Sequence, residues 1–134
     1  MTKKELSQLY YLHREIEQLQ RRIAELEAKA LSTSHPITGM PTTPGVVDKL
    51  ANYVAEIADL KSLLDLSLKK CFYELNRLNR YIQGIEDSEM RMILSLRYVN
   101  ALSWDQVAYS IGGGNSEDGV KKKAYRFLKK TNEN

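Results

Sequence analysis

The sequence predicts an all-α protein: a long N-terminal antiparallel helical hairpin of coiled-coil type, followed by a compact C-terminal helical domain. Three observations support this. Apolar residues recur at alternating spacings of three and four over two long stretches, the repeat of an amphipathic helix that packs on another helix. Lysine, glutamate, leucine and alanine fill those stretches and favour helix. No segment alternates polar and apolar residues for long enough to be a strand.

In the first helix, expected over residues 3–30, the seam runs through Leu9, Leu12, Ile16, Leu19, Ile23, Leu26 and Ala30, with Glu, Gln and Arg between them. The segment "STSHPITGMPTTPG" carries three prolines and two glycines, which interrupt any helix. A connecting loop over residues 31–45 is therefore expected to be the least ordered internal segment. The seam resumes at Val47, Leu50, Val54 and Ile57 and continues through Leu64, Leu68, Cys71, Leu75, Leu78 and Ile82, with Lys61 at a core-type position. A second helix over residues 46–83 is roughly 57 Å long, against roughly 42 Å for the first, at 1.5 Å per residue. Its surplus turns require a partner, either the following domain or a second chain, so a homodimer of two hairpins is expected.

Gly84 ends that helix and divides an oligomerisation region, residues 1–84, from a domain over residues 85–134. In the latter, Asp87 or Ser88 caps a helix carrying Met90, Ile93, Leu94, Leu96 and Tyr98. Asn100-Ala101 breaks the run. "SWDQ" then supplies a capping box, with Ser103 as cap and Gln106 three residues on, opening a short helix to Ile111. Ser116 caps a last helix to Lys130, whose Val120, Ala124, Phe127 and Leu128 form one apolar face. Tyr98 and Trp104 read as core residues of this domain.

Composition excludes several classes of function. A single cysteine permits neither an intramolecular disulfide nor a cysteine-based metal cluster, and Cys71, on the seam, reads as a buried, inert thiol. There is no secretory apolar core and no run of about 18 apolar residues, so a cytoplasmic setting without membrane contact is expected. His13 and His35 have no Cys or acidic cluster at ligand spacing and read as solvated. The carboxylates alternate with Lys and Arg as surface pairs, not as an acid–base pair in a pocket. The chain thus reads as a non-enzyme with no catalytic site, cofactor, metal or small-molecule substrate.

The net charge of +3 is modest, and its distribution is more informative. In "GGGNSEDGVKKKAYRFLKK", the piece "GNSEDGVK" approaches a phosphate-binding loop and fails: Val120 stands where Lys is needed, no hydroxyl follows, and Glu117 and Asp118 would repel phosphates. What remains is two helices joined by a tight turn, the second basic and amphipathic, the layout of a helix-turn-helix. From Gly119 to Lys130 there are six bases and no acid. The outward residues Glu117, Asp118, Lys121, Lys122, Tyr125, Arg126 and Lys129 are the candidate contacts to double-stranded DNA.

The runs "SEMRMILSLRYVNALSWDQVAYSIG" and "SEDGVKKKAYRFLKK" resemble region 4 of the sigma-70 type factors, through Leu96, Arg97, Tyr98, Leu102, Ser103, Val107, Ala108, Ile111-Gly112, Ser116 and Val120-Lys121. The whole chain, including "GMPTTPGVVDK", is also similar to small sigma-like proteins of prophages and mobile elements of Gram-positive bacteria, related to late-gene activators of the ArpU and RinA kind. The resemblance implies a sigma region 4-like helix-turn-helix that recognises promoter DNA and touches RNA polymerase, in a phage or prophage transcription regulator. The "GGGN" turn is longer than the Gly-aliphatic turn usual there, and Gly119 stands where Thr is usual. With no counterpart of sigma region 2, an activator or adapter is expected rather than a complete sigma factor. Two other roles fit the same layout: a small terminase-like packaging protein, and an RNA polymerase-binding protein that does not read DNA.

Overall fold

The computed structural model describes residues 1–34 and 44–132, and its regular elements are all helical. They are α1 (Lys3–Ser34), α2 (Pro44–Gln83), α3 (Ser88–Leu94), a π-helical turn (Ser95–Val99), α4 (Trp104–Ile111) and α5 (Glu117–Asn132). No strand occurs among the described residues. Helix α1 outlasts its expected end at Ala30 by one turn, and α2 starts at Pro44, a position where the missing N–H of proline is no loss. Of the loop expected over residues 31–45, the two ends are therefore helical, and residues 35–43 lie outside the described residues. Among the described residues no helix is long and apolar enough to cross a membrane.

Helix α1 begins on a reciprocal cap. The Glu5 N–H donates to Thr2 Oγ1 and the Thr2 N–H to Glu5 Oε2, each at 3.2 Å, which satisfies two donors that the first turn leaves without partners. The bond from Thr2 holds the Glu5 carboxyl below its usual range, and Arg77 lowers it further.

The chain divides into two compact units, one of Met1–Arg14 with Lys70–Asn134 and one of Glu15–Lys69. The unit that holds residues 85–134 thus also takes in the first turns of α1 and the last turns of α2; it does not begin after Gly84.

In the unit Glu15–Lys69, Ile16, Ile23 and Leu26 of α1 are buried, as the seam predicts. On α2 no residue from Val47 to Lys69 is buried, and Val54, Leu63 and Leu66 are 56%, 52% and 64% exposed. Lys61, placed by the heptad at a core-type position, is exposed and pairs with Glu27 at 3.1 Å. Arg22 pairs with Glu56 at the same distance. Such exposed pairs contribute at most about 1 kcal/mol each.

In the other unit, Leu6, Leu9 and Leu12 of α1, Cys71, Leu78 and Ile82 of α2, and Met90, Ile93, Leu94, Tyr98, Trp104 and Val107 are all buried. Asp87 caps α3 by accepting the Glu89 N–H at 3.0 Å. The following turn is wider than an α-helix: the Asn100 N–H reaches back five residues to the Ser95 carbonyl and the Leu102 N–H six residues to that of Leu96, at 3.0 and 3.1 Å. Ala101 closes this turn with φ 55, a left-handed conformation that costs a side chain about 1–2 kcal/mol. Arginines satisfy the exposed carbonyls there. Arg14 Nη2 donates to Ala101 O at 3.3 Å, and Arg97 Nη1 donates to Leu102 O at 2.9 Å.

The Arg97 guanidinium lies 3.8 Å from the Tyr10 ring centroid and 4.7 Å from that of Trp104. Trp104 in turn meets Tyr98 and Tyr125 edge-to-face, at 6.2 and 5.8 Å. Burial pushes the Tyr98 phenol up to about 12, with Tyr125 adding to the rise and Arg97 opposing it. Replacing Arg97 by Met keeps the stem but removes the cation from both rings and the donor from Leu102 O. We expect Arg97→Met to lower stability by about 1–3 kcal/mol, measured by urea unfolding; a midpoint equal to wild type would show that the contact contributes nothing.

Candidate nucleic-acid interface

The segment from α4 to α5 is shaped by its caps. Gln106 N–H donates to Ser103 Oγ at 3.2 Å and Ser103 N–H to Gln106 Oε1 at 2.9 Å, the capping box expected from "SWDQ". At the other end Gly112 has φ 71 and ψ −156, a region open to glycine and strained for other residues. Gly113 and Gly114 follow with φ 65 and 77, so the chain reverses through three successive left-handed residues. Asn115 stabilises the reversal: its N–H and its side-chain amide both donate to Gly112 O, at 3.3 and 2.7 Å.

Ser116 then caps α5, its Oγ accepting the Gly119 N–H and its carbonyl the Val120 N–H, both at 3.0 Å. A Cβ at position 119 would lie 3.0 Å from that Oγ. The glycine that reads in the sequence as a loss of helix propensity is what lets the cap hydroxyl sit over the first turn.

Val120, Ala124 and Leu128 are the buried residues of α5, and α5 packs against α3 and α4. Phe127, expected in the core, is half-buried. The opposite face carries Lys122, Arg126, Lys129 and Lys130, all exposed. Asp118 pairs with Lys122 at 3.0 Å. Lys123 is tethered to α3 through Glu89 at 2.9 Å and reaches Asn115 Oδ1 at 3.5 Å, which fixes the start of α5 to its neighbours.

Of the seven candidate contacts, Glu117, Asp118, Lys122, Arg126 and Lys129 are exposed, while Lys121 and Tyr125 are half-buried. Tyr125 is corrected from an outward position. It borders the Ala124–Leu128 strip, its ring meets the edge of Trp104, and Lys3 Nζ lies 3.8 Å from its centroid. Lys130 is an exposed cation that the candidate set omits. The signal for it is the helical spacing of Lys122, Arg126 and Lys130, each four residues from the next.

His13 also differs from its solvated reading. It is half-buried beside the α1 seam, with Nε2 3.8 Å from Cys71 Sγ. Cys71 is buried as expected, and burial pushes its thiol up.

Compared with protein-family models, with curated proteins and with solved structures, the chain has no match.

The turn geometry sets a test. Gly112→Ala forces a side chain into φ 71, ψ −156 and should cost about 1–3 kcal/mol, although nothing lies within 4 Å of the added carbon. An unchanged urea midpoint would mean that the reversal relaxes without strain.

Proposed function

We propose that this chain is a DNA-binding transcription regulator of phage or prophage type, an activator or a sigma-like adapter. In this reading α4, the glycine turn and α5 act as a sigma region 4-like helix-turn-helix, with α5 lying in the major groove of duplex DNA. The observation that carries the proposal is the exposed face of α5, where Lys122, Arg126, Lys129 and Lys130 are grouped. Like charges one helical turn apart repel by a few tenths of a kcal/mol per pair, and a polyanion turns that repulsion into attraction. Glu117 and Asp118 lie in the first turn of α5, where the helix dipole favours acids. Residues at that end of a recognition helix reach base edges, and a carboxylate there can accept from a cytosine amino group.

Helices α1 and α2 are read as an antiparallel hairpin that dimerises. Supporting this, Val54, Leu63 and Leu66 leave apolar surface in water on a helix whose heptad seam is only half-covered from Val47 to Lys69. A second hairpin supplies the missing cover.

A protein-binding reading, with RNA polymerase as partner, is favoured by Tyr109, which is 90% exposed on α4, and by Met92, 52% exposed on α3. These groups belong to the same small helical array and give a protein partner apolar anchors.

Duplex binding measured across a salt series separates the two. If four α5 cations meet phosphates, log affinity falls with log salt at a slope of about −3 to −4, using roughly −0.9 per phosphate. Absent or salt-independent DNA binding, beside tight binding to RNA polymerase, would transfer the function to the protein-contacting reading. For the dimer, light scattering at micromolar concentration should give twice the 15.4 kDa chain mass; a monomer mass would remove it.

A further inference from the structure

Lys3, in the first turn of α1, places Nζ 3.8 Å from the centroid of the Tyr125 ring, and Lys121 of α5 places its own 5.8 Å from the same centroid. Two ammonium groups thus share one aromatic ring. Of the acids close in sequence, Glu5 closes the cap of α1 and pairs with Arg77 at 3.4 Å, and Asp118 pairs with Lys122, while Glu117, one turn before Lys121, is exposed and forms no ion pair with it among the described residues. Among the described residues neither Lys3 nor Lys121 has an ion-pair partner.

Met1, ahead of α1, and the first four turns of the helix are tied to the rest of this unit. Asn132 Nδ2, in the last turn of α5, donates to Met1 O at 3.2 Å. Arg97 lies on the Tyr10 ring, and Arg14 donates to Ala101 O. Lys3 is therefore a fixed feature of the α5 flank and not a freely moving arm. The ring face attracts each cation weakly, while the two cations repel each other. Anionic groups set against both cations would relieve that repulsion.

When the first turns of a recognition helix enter the major groove, its flank faces the phosphate ridge that borders the groove. We propose that Lys3 and Lys121, seated on Tyr125, each contact a backbone phosphate of duplex DNA, so that the nucleic-acid surface is built by α1 and α5 together. This rests on the DNA-binding reading of α5. It assigns Tyr125 the role of a platform for two cations, in place of a direct contact to DNA.

The test uses the full chain and a labelled mixed-sequence duplex, with fluorescence anisotropy titrations over a salt series for wild type, K3Q, K3R and K122Q. Lys3 is exposed, so circular dichroism spectra of K3Q that overlay wild type exclude loss of fold. K3Q should flatten the salt slope by about one and weaken unrelated duplexes alike, while K3R, which keeps the charge, should keep the slope. A wild-type slope in K3Q beside a flattened slope in K122Q would confine the phosphate surface to α5; it overturns this inference and leaves the DNA reading standing. No salt-dependent binding by wild type would overturn both.

Discussion

Arg97 touches rings from two distant parts of the sequence, and through it the first turns of α1 belong to the same packed unit as the helices that follow Ile85. Its Nη1 is bonded to Leu102 O, but among the described residues its buried Nε has no hydrogen-bond partner. A half-buried guanidinium left in that state depends on the π-faces of Tyr10 and Trp104 for the solvation that water no longer gives. The wide turn over Ser95–Val99 sets the direction of Arg97, and that turn in turn needs the arginine donors at its open carbonyls. Position of α1, shape of the turn and seating of Trp104 are thus one coupled problem.

The precision of the glycine turn follows from the same economy of partners. Three glycines supply the reversal but no rigidity, since glycine has the largest conformational freedom to lose. Orientation is held by Asn115, whose amide closes the loop on Gly112 O, and by the buried Val120, Ala124 and Leu128, to which the exposed Lys123–Glu89 pair adds at most about 1 kcal/mol. A sequence with this many glycines can therefore still hold the basic face of α5 in one orientation.

Much of the helical framework was legible in the sequence, because heptad seams, caps and turn residues are local signals. The seams predicted α1 and α2, "SWDQ" the start of α4, and Ser116 the start of α5. The "TKKE" cap at Thr2 and Glu5 was equally local but stands ahead of the first seam residue, Leu9. The π-helical turn was not legible: over five residues, a period of five leaves no pattern distinct from a helix end. The half-burial of His13 and Tyr125 is not legible for another reason, since the residues against them, Cys71 and Trp104 with Lys3, are distant in sequence. On α5, Glu117, Asp118, Lys122, Arg126 and Lys129 are exposed as expected, and the difference lies at the edges of that face, where Lys121 and Tyr125 are half-buried and Lys130 is exposed. Phe127 and Leu128 are adjacent apolar residues, and counting Phe127 as core turns the opposite face toward Tyr125 and away from Lys130; only packing resolves which column is covered.

The bond from Arg14 to Ala101 spans 87 positions of sequence. During synthesis at about 5–20 residues per second, the first turns of α1 emerge roughly five to fifteen seconds before their partners exist. Through that interval Leu6, Leu9 and Tyr10 have no native cover, and the unit that contains them closes only after a large loop entropy has been overcome.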